Sequence, residues 1–307
     1  MTGAVPARTA GCSALALLIS AFSLVGWASA PAGDAAQARE RVAYVSVIDA
    51  KTLSPVGEVG TDAIAIHEDG TRREILRVTP ATSPLPVAVI VDNSQAAAAT
   101  IPDLRKALAT FINTIGEIGP VAIFTVADRP TLLQEYTTSQ KELLDAAGRL
   151  FHAPSSGATL LDTISDVSRG LAKRDSDRAA IVVVTGEHVE FSNLQYRDVL
   201  ERLSDSGAML YTIVLVNPAG STATDEARNR ATVLARGPRD SGGMRIDVLT
   251  SMSFESRLKV FGEMLKAQQR VTYSRPESLI PPEKVQISAG RPGLEAYGAP
   301  ARGQGLK

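Results

Sequence analysis

The residues with the clearest chemical potential follow a buried-strand pattern. Residues 86–91 form an uninterrupted apolar run that leads directly into Asp92, Asn93 and Ser94. Such a run predicts a strand covered on both faces, and in open parallel sheets the groups just past a strand's carboxyl end face the ligand. A carboxylate and a hydroxyl there are oxygen ligands suited to a hard divalent cation. Ala96 stands where a third oxygen ligand would be expected.

Other catalytic arrangements have little support in the sequence. The three histidines, His67, His152 and His188, lack the spacing of a zinc hydrolase. No nucleophile-elbow motif follows a strand, and no glycine-rich phosphate-binding loop follows the strand before Asp92. These patterns favour a binding protein that is not an enzyme. A secreted serine hydrolase that pairs Ser94 with His188 is the alternative from a different class.

The amino terminus is typical of a secretory signal peptide over residues 1–30. Arg8 precedes an uncharged apolar stretch, and small residues at 28–30 predict cleavage after Ala30. A membrane anchor is the alternative, but the apolar part is short, and no second stretch of spanning length follows it. The only cysteine, Cys12, lies in this segment, so the mature chain would have no disulfide. We therefore expect an extracytoplasmic protein, either periplasmic or secreted.

Charge gives no indication of a nucleic-acid partner. The chain has 32 basic and 33 acidic residues, with a net charge of −1. No basic block is dense enough to bind a phosphate backbone.

Residues 40–80 predict the first part of a small β module. Strand patterns cover 42–48, 63–67 and 73–78, and the last two form a hairpin around Asp69 and Gly70, a pair that favours a tight turn.

From residue 84 to 269 the pattern changes to strands that alternate with helices. This predicts a doubly wound α/β domain, Rossmann-like, with a mostly parallel sheet and helices on both faces. The expected strands are 86–92, 120–127, 132–136, 180–185, 209–216 and 244–248, of which 132–136 resembles an edge strand.

Helix starts and ends are also marked in this region. Capping boxes are predicted at Thr100 with Asp103 and at Ser139 with Glu142. The fifth helix is predicted to end at Gly237.

The carboxyl-terminal segment contains two further strand patterns, at 271–273 and 285–288. A lone strand pair is marginal in water. We therefore expect residues 270–298 to return to the β module, with 299–307 as a flexible tail.

Together these motifs resemble the von Willebrand factor type A (VWFA) family. The resemblance rests on Asp92-x-Ser94, on residues 157–162 (GATLLD) opening a helix, and on residues 181–187 (IVVVTGE). Residues 62–70 and 290–294 further resemble a secreted bacterial VWFA-related family that carries a flanking β module. The resemblance covers nearly the whole mature chain and implies a domain for protein recognition.

The resemblance also implies a metal-ion-dependent adhesion site. Asp92, Ser94 and Thr159 match its ligands, whereas Ala96 and Thr185 stand where the family has a serine and an aspartate. One carboxylate and two hydroxyls hold Mg²⁺ poorly, so we expect a degenerate site and no cofactor. The alternative is a cation-dependent binding protein in which Glu187 or Glu190 replaces the missing carboxylate for Mg²⁺ or another divalent cation.

The loops around this site would form one crevice, because the first and fourth core strands are neighbours in the family. We expect this crevice to bind a protein partner. The residues expected to line it are Asn93, Gln95, Gly157, Thr185, Glu187 and His188.

Overall fold

A computed structural model describes residues 38–217, 224–276 and 280–303. The predicted signal peptide lies outside the described residues. Within the described ranges, no helix combines the length and the apolar character needed to cross a bilayer.

Seven strands from the two ends of the described chain form two antiparallel sheets. A four-stranded sheet has the order β13-β1-β11-β4, and a three-stranded sheet has the order β12-β2-β3. A separate hydrophobic core lies between them. This pairing supports the proposed division of the chain into a β module and an inserted α/β domain. The strands are β1 (Ala38–Asp49), β2 (Ile64–Glu68), β3 (Thr71–Arg73), β4 (Ile75–Pro80), β11 (Gln269–Pro276), β12 (Val285–Ala289) and β13 (Leu294–Pro300).

The predicted hairpin is correct at its turn and wrong in its second strand. Asp69 and Gly70 have φ angles of +48° and +80°, and they join β2 to β3 as expected. The pattern 73–78 is not one strand, because the chain leaves the three-stranded sheet after Arg73. The Glu74 carbonyl accepts from Ser274 N at 2.9 Å, and β4 then pairs with β11 in the other sheet.

The α/β domain contains a six-stranded sheet in the order β10-β9-β8-β5-β6-β7. Five strands are parallel and the edge strand β7 is antiparallel to β6. When the strands of this domain are numbered 1 to 6 from β5 to β10 and read from β7, their order in the sheet is 3-2-1-4-5-6. This is a doubly wound arrangement, so the predicted fold class is confirmed. The strands are β5 (Val87–Val91), β6 (Val121–Thr125), β7 (Thr131–Thr137), β8 (Ala179–Gly186), β9 (Ala208–Leu215) and β10 (Arg245–Val248).

Two hydrophobic cores explain why the central strands are apolar at every position. In β5, Val87, Val89 and Val91 pack in one core, and Ala88 and Ile90 pack in the other. Helices α1, α2 and α6 cover the first face, and α3, α4 and α5 cover the second. The helices are α1 (Ile101–Ile115), α2 (Gln140–Gly148), α3 (Leu160–Ala172), α4 (Tyr196–Ser206), α5 (Asp225–Ser241) and α6 (Phe254–Lys266).

Helix α5 runs past its predicted end. Gly237 does not terminate it; a Cβ there would lie 2.7 Å from Leu210 Cδ2, so this glycine permits close packing on β9. The helix ends at Gly242, whose φ is +78° and whose N–H donates to Pro238 O.

One of the two predicted capping boxes forms by half, because Ser139 N donates to Thr137 Oγ1 and not to the Glu142 side chain. The Ser139 hydroxyl accepts from Glu142 N at 3.3 Å, as predicted. The box at Thr100 is wrong, because its hydroxyl donates to Ala97 O at the end of a short 3₁₀ turn. Asp103 instead accepts from Ser251 Oγ.

The chain stays ordered beyond the boundary predicted at residue 298. Strand β13 continues to Pro300, and Ala301 N donates to Val42 O at 2.8 Å. Arg302 then donates to Leu171 O and Arg174 O at 2.9 and 2.5 Å, which satisfies carbonyls at the carboxyl end of α3. The predicted start of a flexible tail at residue 299 is therefore wrong, and residues 304–307 lie outside the described ranges.

Candidate functional site

The site lies where strands β5 and β8 run side by side. In the six-stranded sheet the chain connections diverge between these two strands, which is where doubly wound folds open a crevice. Asp92 N donates to Val184 O at 3.0 Å and continues the ladder beyond β5. The loops that follow Val91 and Gly186 therefore leave the same edge of the sheet together.

Asp92 is held by groups from both loops. Its Oδ1 accepts from Ser94 N and Ser94 Oγ at 3.0 and 2.7 Å, and its Oδ2 accepts from Thr185 Oγ1 at 2.9 Å. Asp92 and Ser94 are each 1% exposed. The Asp-x-Ser pair therefore stabilises the turn that leaves β5, and Thr185 joins that turn to the end of β8.

The positive charge at the site belongs to Arg230, which projects from α5. Its Nη1 donates to Glu190 Oε2 at 2.7 Å, and its Nη2 donates to Thr185 Oγ1 and Gly186 O at 2.5 and 2.6 Å. Its Nη2 is also 3.7 Å from Asp92 Oδ2. Arg230 is 3% exposed, so a guanidinium is buried between two carboxylates. A buried arrangement of this kind is stable only while both signs of charge are present.

Glu190 has a second role at the start of α3. Its Oε1 accepts from Leu161 N at 3.3 Å and from Ser192 Oγ at 2.5 Å. The Ser192 hydroxyl in turn accepts from Asp162 N at 3.0 Å. The loop after β8 thus satisfies free N–H groups at the amino end of this helix, where negative charge is also favoured by the helix dipole.

Thr159, the third residue predicted as a metal ligand, uses its hydroxyl elsewhere. Thr159 Oγ1 donates to Val126 O at 2.8 Å, and no side-chain cap bond forms at the helix start. Its oxygen therefore ties the loop before α3 to the end of β6. Across the described ranges, no group of three or more His, Cys, Asp or Glu side chains is arranged to hold a metal ion.

Two residues expected in the crevice connect its neighbouring loops. Asn93 donates to Phe151 O at 3.2 Å and accepts from Ala127 N at 3.1 Å. The Gln95 side chain accepts from Ser155 N at 3.1 Å. The loop after β5 and the loop before α3 therefore form one surface.

Gly157, Glu187 and His188 lie around that surface. Gly157 N donates to Asp128 Oδ1 at 2.9 Å, and the exposed Glu187 accepts from Asn217 N at 2.9 Å. His188 is half-buried over Gly186, where a Cβ would lie 2.3 Å from its Nε2. Of the two acids considered as replacement ligands, Glu190 pairs with Arg230 and Glu187 points to the end of β9.

Replacing His188 with glutamine is expected to flatten the pH dependence of stability. Burial lowers the pKa of His188; Asp92 opposes this shift and Arg230 adds to it. The unfolded chain then binds more protons than the folded protein, so stability is full above the ordinary value near 6.5 and falls as pH drops through the lowered pKa. Chemical denaturation between pH 7.5 and 5 measures this slope, and equal slopes in both proteins would contradict the assignment. His152→Gln, on an exposed loop position, is the control.

Arg230 is a functional residue that the sequence motifs do not predict. The periodicity of α5 could have identified it. One face of this helix is buried, and it contains Arg230 together with Val233, Leu234 and Gly237. A cation within an apolar helical stripe is the indication that a buried carboxylate lies opposite.

Apolar side chains are exposed around this polar centre. Eight large apolar residues are exposed in the described ranges, and five of them lie in the connections at the carboxyl edge of the sheet, one of these in a short 3₁₀ turn. The Phe191 ring lies against Gly157, where a Cβ would be 2.2 Å from the ring. The five are Phe151, Val189, Phe191, Leu249 and Met252; together they are called the apolar rim.

Comparisons with known proteins add only structural similarity. Neither the protein-family models nor the characterised sequences give a match. Similar solved structures include a von Willebrand factor type A protein from Catenulispora acidiphila, at 11% identity, 87% coverage of this chain, 73% of that chain and a TM-score of 0.46. They also include the conserved hypothetical protein BatB from Bacteroides thetaiotaomicron, at 11% identity, 59% and 99% coverage and a TM-score of 0.44. An aerotolerance-related membrane protein from Bacteroides fragilis has 15% identity, 59% and 98% coverage and a TM-score of 0.45.

The resemblance to VWFA domains is confirmed at the level of fold. Strands β5 and β8, the first and fourth of the α/β domain, lie side by side in parallel, as the resemblance implies.

Proposed function

We propose that this chain is an extracytoplasmic protein-binding module that is not an enzyme and that recognises its partner at the carboxyl edge of the α/β sheet. The observation that carries this proposal is the apolar rim, which places Phe191 and Val189 at 59% and 65% exposure beside the site. Exposed aromatic and aliphatic groups grouped on one edge are typical of protein interfaces. The extracytoplasmic location rests on the pattern of residues 1–30.

We propose further that recognition is independent of a bound cation. The support is Arg230, whose guanidinium already neutralises part of the charge of Asp92 and Glu190. A divalent ion would have to compete with this buried group and with the hydrogen bonds of Thr185. The alternative cation-dependent mode needs Glu187 or Glu190 as a ligand. Glu190 is committed to Arg230 and to α3, and Glu187 accepts from Asn217 N.

The hydrolase alternative receives no geometric support. Ser94 Oγ donates its hydrogen bond to Asp92 and is 1% exposed. In the described part of the chain no hydrogen bond joins Ser94 to His188, so the serine lacks the base that activation requires.

Site-specific photocross-linking tests the proposed binding edge. We expect p-benzoylphenylalanine at Val189 or Met252 to give the same adduct in the cell envelope with and without a chelator. The control position is Leu132 on β7, an apolar residue that is 44% exposed away from this edge. Adding Phe191→Ser should reduce the adduct at Val189 several-fold, because aromatic anchors carry much of the affinity of an interface. An adduct only at Leu132 would contradict the proposal that the partner binds at the carboxyl edge of the sheet. Loss of the adducts in the presence of a chelator would contradict the proposal that binding is independent of a cation.

A further inference from the structure

The β module contains a buried carboxylate at one end of its apolar core. Glu68 is the last residue of β2 and is 1% exposed. Its Oε1 accepts from the Tyr273 hydroxyl at 3.1 Å, and its Oε2 lies 2.9 Å from Arg73 Nε and 3.3 Å from Arg275 Nε. Burial and the charge of Glu68 raise the pKa of Tyr273, so this hydroxyl keeps its proton and remains a donor.

A third arginine on the same face has no hydrogen-bond partner among the described residues. Arg41 of β1 is opposite Tyr273 of β11 in the antiparallel register. Ala43 and Val45, at alternate positions of the same strand, pack in the core of the module, so Arg41 shares their face. Its Nε is buried and bonds to no acceptor in the described ranges. Against the rise that burial causes, Arg275 and Arg41 lower the pKa of Tyr273, and both guanidinium groups therefore lie near its hydroxyl.

Positive charge is in excess at this end of the module. The guanidinium groups of Arg41, Arg73 and Arg275 lie around the single carboxylate of Glu68 and its tyrosine donor. Within the described ranges, no other acid forms an ion pair with any of the three arginines. A buried charge without an opposite charge is destabilising, and so is a buried N–H without an acceptor. An additional anion would supply both the missing charge and the missing acceptor.

We propose that this end of the β module binds a small oxyanion of the phosphate type between Arg41 and Arg275. A phosphate group carries roughly two negative charges at neutral pH and offsets the excess. Guanidinium groups match its oxygens with paired N–H donors. The side chains of Arg275 and Glu68 are 7% and 1% exposed, so the site fits a small ion better than the surface of a folded partner. It shares no residue with the apolar rim and does not depend on the function proposed for that edge.

Calorimetric titration with sodium phosphate tests the proposal, with sodium chloride adjusted to keep the ionic strength constant. We expect saturable binding at a single site in the wild-type protein. Arg41→Met should weaken this binding about tenfold or more, because it removes charge-assisted hydrogen bonds. Arg77→Met is the control. Arg77 lies on the opposite face of the same sheet and pairs with Glu40, so its loss should leave phosphate binding unchanged.

Thermal unfolding separates anion binding from a purely structural role of Arg41. In chloride buffer without phosphate, Arg41→Met should be at least as stable as the wild type, because an unpaired charge has been removed. Phosphate should raise the melting temperature of the wild type by several degrees and that of Arg41→Met much less. The same loss of stability in Arg41→Met with and without phosphate would show that the residue is structural and would overturn the proposal.

Three further results would contradict an anion site. One is the absence of saturable binding to the wild type, which decides the question even if Arg41→Met fails to fold by circular dichroism. Another is equal stabilisation of both proteins by phosphate, which is a general effect of that salt. The third concerns Glu277, the acid nearest to Arg275 along the chain, which lies outside the described ranges. If phosphate stabilises Glu277→Gln but not the wild type, a carboxylate of this chain already supplies the missing charge.

Discussion

Replacement of Arg230 with methionine is expected to destabilise the protein by about 3–5 kcal/mol, the cost typical of breaking a buried ion pair on one side. The guanidinium is 3% exposed and bonds to Glu190, Thr185 and Gly186. Without it, two buried carboxylates remain in the crevice, and no other described residue forms an ion pair with either of them. Urea denaturation at neutral pH measures the loss.

Arg228→Met is the matched control on the same helix. Arg228 is 57% exposed and pairs with Asp225, a surface contact worth at most about 1 kcal/mol. Equal losses in the two variants would show that helix packing, not the buried charge, explains the effect at Arg230.

A substitution at Arg230 also distinguishes a site occupied by the arginine from a site that binds a metal ion. With Mg²⁺ or Mn²⁺ in the millimolar range, we expect no change in the melting temperature of the wild-type protein. Arg230→Ala should gain stability under the same conditions, because a cation can then enter beside Asp92 and Glu190. A metal-dependent rise in the wild type that is lost in Asp92→Ala would overturn the cation-independent proposal.

Replacement of Arg178 with methionine is the second change with a large expected effect, about 2–4 kcal/mol, because several buried acceptors lose their donor. Arg178 is 4% exposed. It donates to Ser83 O through Nε at 3.0 Å and to Gln268 Oε1 through Nη1 at 2.8 Å. Its guanidinium also lies 5.2 Å from the centre of the Tyr44 ring. It therefore joins the start and the end of the α/β domain to β1.

Thermal unfolding monitored by both circular dichroism and tyrosine fluorescence measures this effect. We expect a lower melting temperature in Arg178→Met and little change in the control Lys173→Met, an exposed position nearby. An unchanged midpoint in Arg178→Met would show that the two parts of the chain are held together without this residue.

The sequence predicts those parts of the fold that depend on local periodicity. The run 86–91 predicts the central strand, in which each of the residues 87–91 packs in one of two cores. The predictions that are wrong involve contacts between residues far apart in the chain. The predicted strand 73–78 breaks because Glu74 bonds to Ser274 in the other sheet. Helix α5 continues past Gly237 because this glycine packs on Leu210.

The same distinction applies to the candidate site. Asp92 and Ser94 could be recognised because they follow a strand directly. The hydroxyls of Ser94 and Thr159 could not be assigned to Asp92 and Val126, since those partners depend on how the loops close. Arg230 is 138 positions from Asp92 in the chain, and only the sheet order brings them together. A single sequence can therefore indicate that a cationic side chain is buried, but it does not identify the residues with which that side chain pairs.

The pairing of β1 with β11 also determines the order in which the chain can fold. Ala38 pairs with Pro276, and Ala43 pairs with Pro300, so the four-stranded sheet joins the two ends of the described chain. Contacts of such long sequence separation form slowly, whereas the α/β domain between them can nucleate from nearer neighbours. As the chain emerges from its amino terminus, β1 has no partner in its sheet until residues 269–300 follow. The β module therefore closes after the α/β domain, and its completion reports that the inserted domain has been synthesised.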